Sequence, residues 1–504
     1  MFKQKSRTKA NRPYTLPAPV KGLDAVSPVM GMSENSALVL ENWFPAPSGL
    51  QVRDGYISHA TGFASQVDRL HVYSAVSGGE KLFATNSSGV YDATLAGAIG
   101  AAAIALTDGK CISAGINTGA GNYFFLVNGV DTMKQYDGTT WSSVAVLGAV
   151  ATTKYNYVEL YRQRLFFVEK NSLNIEYLAP NAISGAPTAY TFSATFKRGG
   201  YIVALGTWTL DSGTGGDDRL VVLTSNGEAA VFVGNDPATW APAGVYQLPR
   251  PLGKTPLSSS GGDLLILTEE GIYPMSSAVQ STAISRTNAV SERIKPAFSE
   301  AAGVYAANQG WQIISDPIKP MLLVNIPATP VRKQFVMHAQ TGAWSVYSGW
   351  DALCFARMGK EIYFGTSNGI KRVFGVSDEG VNITATLLQA YSRFGMQQNK
   401  HIELTKPYLS NNGGFTYAMG FAENFADARE LTLKRPSGNI SAAIWGVSLF
   451  GTAVWTGGVG VAQDWDTVPN DHTLWKAFYL QVVTNNASIE YFGADNLLVP
   501  SGSL

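Results

Sequence analysis

The sequence is short of charge, of cysteine and of helical periodicity. Only 15% of its 504 residues are charged, against roughly 25% in an average soluble protein. Surface helices need charged faces, so a chain with 52 Gly and 22 Tyr suits strands and tight turns instead. The two cysteines, Cys111 and Cys354, stand far apart. They make neither a metal-ligand spacing nor a disulfide framework and read as small buried hydrophobes. Long apolar runs are missing too. Ala93–Leu106 (ATLAGAIGAAAIAL) is too short to span a bilayer, and the opening MFKQKSRTKANRPY has no apolar signal segment. The expectation is a chain made in a cytoplasm and not inserted in a membrane.

Catalytic motifs are equally scarce. No P-loop and no GxGxxG is present. Gly365–Gly369 (GTSNG) matches the string of a nucleophile elbow, which needs a strand before it and a helix after it. Here IYF precedes and IKRVF follows, so Ser367 belongs to a hairpin. Asp211–Asp218 (DSGTGGDD) begins like a calcium loop, but its twelfth position is Val222 rather than an acid; a surface loop is the better reading. Asp464 and Asp466 flank Trp465 and would share one strand face, yet one such pair is more often solvated surface. His59, His71, His338, His401 and His472 lie in no metal-ligand spacing. The expectation is a non-enzymatic protein with no catalytic, cofactor or metal residues and no cofactor.

Lys and Arg number 37, as do Asp and Glu. Lys3, Lys5, Arg7, Lys9 and Arg12 put five positive charges in the first twelve residues, leaving a net charge of −5 on the rest. A basic arm on a mildly acidic body suits nucleic acid or an acidic partner; a solvated, frayed terminus is the plainer alternative.

What the chain does have is self-similarity. A short apolar strand, a Gly/Asn/Ser turn and a second strand recur from Leu82, Tyr123, Leu165, Leu220, Leu264 and Ile362. The starts are 41, 42, 55, 44 and 98 residues apart, and roughly 40–50 residues per four strands is the propeller-blade repeat. The long interval holds MLLVNIP (Met321–Pro327) and QFVMHAQTGAWSVY (Gln334–Tyr347). It reads as one long blade, giving six, with seven as the alternative. Asn128-Gly129, Asn226-Gly227 and Asn368-Gly369 are expected to supply the positive φ of tight hairpins. LVVLT and LLILT are apolar at nearly every position, as strands buried on both faces are. Trp141, Trp240 and Trp344 each follow a turn and are expected to pack between sheets rather than stack on sugar or bases.

Length beyond one hydrophobic core predicts two or three domains. Residues 1–60, with six prolines, read as an extended arm wrapping over something else; residues 61–378 as a β-propeller; residues 379–504 as a C-terminal β-sandwich-like domain. The fold class is all-β.

The stretch Ser27–Tyr56 (SPVMGMSENSALVLENWFPAPSGLQVRDGY) resembles the opening of tail nozzle proteins, including packaged-DNA stabilisation proteins, of short-tailed bacteriophages. There a Met-containing turn leads to Asn-Trp-Phe-Pro, a basic residue and Gly-Tyr; here these are Met30 and Met32, Asn42–Pro45, Arg53 and Gly55-Tyr56. Gly215–Trp240, Pro251–Lys254, Met321–Pro327, Thr341–Trp350 and Ile362–Gly369 continue the likeness in order. The resemblance implies a structural tail protein of the virion, made in the bacterial host cytoplasm. It implies a homo-oligomer, usually a hexameric ring, below the portal and adaptor. It also implies an adaptor as partner, with tail fibres or spikes, and packaged DNA passing through the lumen without sequence-specific contact. The proline-rich arm would then bridge to a neighbouring subunit or the adaptor, and the acidic body would keep DNA from sticking to the lumen. A propeller that binds glycan or a receptor, as a tail fibre does, is the competing reading, and a propeller glycosidase the third.

Overall fold

A computed structural model describes residues 12–76, 79–210, 217–280, 289–316, 318–425, 432–434, 460–462 and 464–501. Two compact units share the chain. One is built from Ile57–Lys333 and Trp350–Val373, the other from Met1–Tyr56, Gln334–Gly349 and Phe374–Leu504.

In the first unit, consecutive strands fold back on one another into small antiparallel sheets, which we number as blades. Blade 1 runs from Arg69 to Asp92, blade 2 from Ile112 to Val144, blade 3 from Tyr155 to Thr191 and blade 4 from Ile202 to Gln247. Blade 5 occupies Leu257–Pro274, blade 6 begins with Gln312–Asp316 and Met321–Ile326, and blade 7 holds Cys354–Val373. The first strand of each blade packs against the first strand of the next, and that of blade 7 packs against that of blade 1. The series therefore closes into a ring of seven. Closure also uses the chain's early segment: Tyr56–Thr61 adds a fourth strand beside Gly369–Val373 of blade 7. A sheet series sealed this way has no long exposed edge at the join.

The core explains why the strands are apolar on both faces. Leu220 and Val222 of blade 4 belong to a cluster with blade 3 residues such as Phe166 and Phe167. Val221 and Leu223, which alternate with them in sequence, belong to another cluster with Leu264 and Ile266 of blade 5. Alternate side chains of one strand thus serve two different cores. Aromatics fill the gaps. Trp141 packs edge-on against Phe83 of blade 1, and Trp240 stacks on Phe166 and touches Phe232, between blades 3 and 4. Such pairs each add about 0.5–1.5 kcal/mol beyond the area they bury.

Seven blades are the alternative count, and the physical reason lies in the 98-residue interval. After its three strands blade 5 turns helical, with Met275–Gln280 and then Lys295–Tyr305. The second helix has Pro296 in its first turn and buries Phe298 and Ala302, one turn apart. This helical stretch separates blade 5 from a further blade whose first strand, QIISD, is too polar to match the repeat.

The turns also differ in detail. Gly129 and Gly227 have φ of 78° and 81°, as Asn-Gly turns require. Gly369 does not adopt a positive φ; it is small because a Cβ there would stand 2.6 Å from the Ala60 carbonyl oxygen of the closing strand.

The second unit is a two-sheet β structure. One sheet contains Arg12–Pro17, Trp43–Ala46, Gly49–Val52, Lys400–Asn411, Gly460–Ala462 and Ile489–Pro500. The other includes, in spatial order, Ala343–Ser348, Ala37–Glu41, Ile383–Gln389, Lys476–Thr484, Thr416–Glu423 and Thr432–Lys434. Fully buried Tyr491 of the first sheet meets Phe478 of the second, ring centroids 6.3 Å apart. The division of the chain differs from the boundaries 1–60, 61–378 and 379–504. Within residues 12–52, Arg12–Pro17, Ala37–Glu41, Trp43–Ala46 and Gly49–Val52 are paired strands of this unit, with turns and a short helical turn at Val29–Gly31 between the first two; Arg12–Pro17 runs antiparallel to Gly493–Leu498. Pro13, Pro17 and Pro45 sit in edge strands of the sheet, where proline is tolerated.

Candidate functional site: an axial cationic pocket and an arginine lock

The residues that carry the family-like motif make a lock within the second unit. Asn42 has φ of 59°, a left-handed turn that asparagine tolerates. It separates strand Ala37–Glu41 from strand Trp43–Ala46, and so hands the chain from one sheet to the other. Arg53 then reads the corner. Its Nε donates to Asn42 Oδ1 at 2.9 Å, its Nη1 to the Asp54 carbonyl and Asp378 Oδ1, and its Nη2 to the Ser348 carbonyl and Asp378 Oδ2 at 2.6 Å. The two side chains are 1% and 10% exposed. A planar fork held by a carboxylate at both ends is a geometry lysine cannot copy. Close approach fixes the neighbouring glycine: a Cβ on Gly55 would lie 1.9 Å from the Ser377 carbonyl oxygen.

The propeller unit carries the other constellation. Near the axis the blade ring leaves a cavity of about 510 Å³, within the range of roughly 300–1,000 Å³ typical of small-molecule sites. Arg69, Lys110, Lys170, Arg250 and Lys254 line it, against Asp108 and Glu269. Arg69 opens the first strand of blade 1, while Lys110 and Lys254 precede the first strands of blades 2 and 5. Ring closure is what collects them. Arg69 is buried and donates to Thr255 Oγ1 at 2.9 Å. Lys254 Nζ donates to the Lys110 carbonyl at 2.7 Å. Burial pushes the Lys254 ammonium down to about 8, and the positive charges of Arg69 and Lys110 push the same way.

The remaining candidates are dispersed. Ser367 is exposed in the turn between strands Glu361–Gly365 and Gly369–Val373, with no helix behind it. Of the Asp211–Asp218 loop, residues 211–216 lie outside the described residues; Asp218 accepts a hydrogen bond from Thr209 Oγ1. Asp466 accepts from the Tyr417 hydroxyl at 3.1 Å, and Trp465 lies under Lys406. His59 bonds the Ala93 carbonyl. Buried His71 bonds Ser113 and Thr85, and its pKa falls to about 3 through desolvation and the nearby Arg69. His338 packs on Phe44. His401 and His472 do converge, ring centroids 5.3 Å apart. Among the described residues no group of three or more His, Cys, Asp or Glu is placed to hold a metal. Cys111 and Cys354 are buried thiols. The basic residues Lys3, Lys5, Arg7 and Lys9 lie outside the described residues. No described helix is long and apolar enough to cross a membrane.

Sequence reasoning missed the pocket: of its cations only Lys254, at the end of the family-like Pro251–Lys254, lies in a segment the sequence singles out. The one available signal was a basic residue at or just before a blade's first strand.

Ring and pocket together define the chain as a β-propeller with an attached β-sandwich-like unit. No family model matches it, and no curated protein does. Similar solved structures include BBS1N in complex with ARL6DN, at 12% identity over 64% of this chain and 98% of that one, TM-score 0.40. Another is the Cps50 (Swd1) β-propeller domain of Myceliophteria thermophila, at 10% identity over 64% and 100%, TM-score 0.42. A third is YCF48 bound to D1 peptide, at 11% identity over 63% and 96%, TM-score 0.36. The ring of seven stands on strand pairing and packing, not on these likenesses.

Proposed function

We propose that this propeller-type protein is a structural component of a short-tailed phage tail. In this reading it forms the nozzle ring below portal and adaptor, closes the DNA channel, retains the packaged genome and conducts it during ejection. The protein acts by assembly rather than catalysis. Its partners are further copies of itself, six to a ring, the adaptor, and tail fibres or spikes; DNA passes through the lumen as a uniform polyanion.

The observation that carries this reading is the order of the family-like segments from Ser27 to Gly369. Asn42, Arg53 and Gly55, which recur in its first segment, are also residues whose geometry tolerates little substitution. A motif kept for folding is one that marks a fold family rather than a shared chemistry. The net −5 of the chain beyond its first twelve residues fits a lumen that releases DNA.

Native mass spectrometry of the chain, alone and mixed with purified adaptor, tests it. A closed ring of six on the adaptor is expected. A trimer, or a monomer that ignores the adaptor and binds glycan, would overturn the nozzle in favour of a receptor-binding propeller. The axial pocket is the observation that favours that second reading.

A further inference from the structure

We propose that the axial pocket of the propeller is a binding site for a small phosphate ester, with the phosphate on the pocket's cations and a hydroxyl-bearing body beside Asn156. The inference stands independently of the nozzle reading.

Charge is the first reason. Five cations against two carboxylates leave an excess of three positive charges around one cavity. Arg69 and Lys110 stand near enough to Lys254 to disfavour its charge, while Lys170 and Arg250 are exposed at the wall; like charges so gathered repel unless something compensates them. Compensation from the protein is thin. Among the described residues no ion pair is made by any of the five. Arg69 bonds a neutral hydroxyl, and Lys254 and Lys170 bond main-chain carbonyls, the latter at a long 3.3 Å. The side chains of Lys110 and Arg250 have no hydrogen-bond partner among the described residues. Two guanidinium forks and three ammonium groups around one space match a phosphate, which offers oxygens in several directions.

Position is the second reason. The cations come from separate segments of the ring, so they meet only because it closes; a solvated face of one strand would not bring them into a shared cavity. Shape and polarity add a third. The Asn156 side-chain oxygen is buried at the pocket wall with no hydrogen-bond partner. Such an atom is costly to leave unmet, and a ligand hydroxyl or ring N–H would meet it. Exposed Tyr201, also in the wall, offers a flat face to a sugar or base. Inorganic anions would satisfy the charge but not this side of the pocket.

Isothermal titration calorimetry of the full chain at low salt tests the proposal, with inorganic phosphate, glucose 6-phosphate, adenosine monophosphate, citrate and glucose as probes. The phosphate esters are expected to bind at least tenfold more tightly than phosphate or citrate, and glucose not at all. The double variant Lys110→Gln/Arg250→Gln removes the two unpartnered cations without breaking an internal bond, and should lose at least tenfold in affinity with an unchanged melting temperature. At pH 8 binding should take up protons, seen as a heat that varies with buffer ionisation, because a bound phosphate favours protonated Lys254. No binding by any ester at millimolar concentration, equal binding by citrate, or full affinity in the double variant would each overturn the site. A short oligonucleotide that binds while the mononucleotide does not would instead assign the pocket to nucleic acid and overturn the small-molecule claim.

Discussion

Replacing Arg53 with methionine should cost the sandwich-like unit about 3–5 kcal/mol, the usual penalty for removing one partner of a buried ion pair. The figure rests on what is left behind. Five donated hydrogen bonds vanish, and Asp378, 10% exposed, loses both guanidinium contacts. Water has little room to replace them: a Cβ on Gly349 would stand 2.5 Å from Arg53 Nη2. For a unit of about 200 residues, each kcal/mol shifts the melting temperature by about 2–4 °C, so a fall of about 6–20 °C is expected. Circular dichroism and urea titration measure it. Arg53→Lys should recover little, because one ammonium cannot bridge Asn42, Ser348 and both Asp378 oxygens. Arg53→Met/Asp378→Leu should recover most of the loss, since no lone charge stays buried. A single-variant cost below about 1 kcal/mol, or a double variant as damaged as the sum of the singles, would refute the lock.

Other parts of the fold make their own tests. Burial pushes the Glu159 carboxyl in the first strand of blade 3 up to about 8. Its proton is held more tightly in the folded state, so stability should fall as pH rises from about 4.5 to about 8 and level off beyond. Glu159 as a residue is only partly buried, so Glu159→Gln should gain about 1–3 kcal/mol at pH 9 and nothing at pH 4, by urea unfolding at both values. Cys111 and Cys354, whose thiols burial raises to about 12, should resist iodoacetamide at pH 8 and react fully in denaturant; mass spectrometry reads the difference. Gly369→Val should open the join between blade 7 and the early strand at a cost of about 2–4 kcal/mol, seen as faster amide exchange in residues 57–61.

Much of the propeller is legible in the sequence because its physics is local. LVVLT and LLILT read as strands buried on both faces, and LVVLT proves to divide its side chains between two cores. Gly129 and Gly227 read as turn glycines because the positive φ they adopt is a local requirement of an Asn-Gly turn. Blade 6 is harder to see, since its first strand, QIISD, follows two helices and is half polar. Gly369 looks like another turn glycine but answers to Ala60, some 300 residues away. The prolines of residues 12–52 announce extended chain without naming its partner, Ile489–Pro500. The pocket is the extreme case. Arg69 and Arg250 are unremarkable where they stand in the chain, and only ring closure gives them a common cavity.

The decisive measurement is an electron cryomicroscopy map of the assembled tail. The expected result is six copies of this chain in one ring below the adaptor, around a DNA channel. Density for this chain in a peripheral fibre, or its absence from the tail axis, would contradict it.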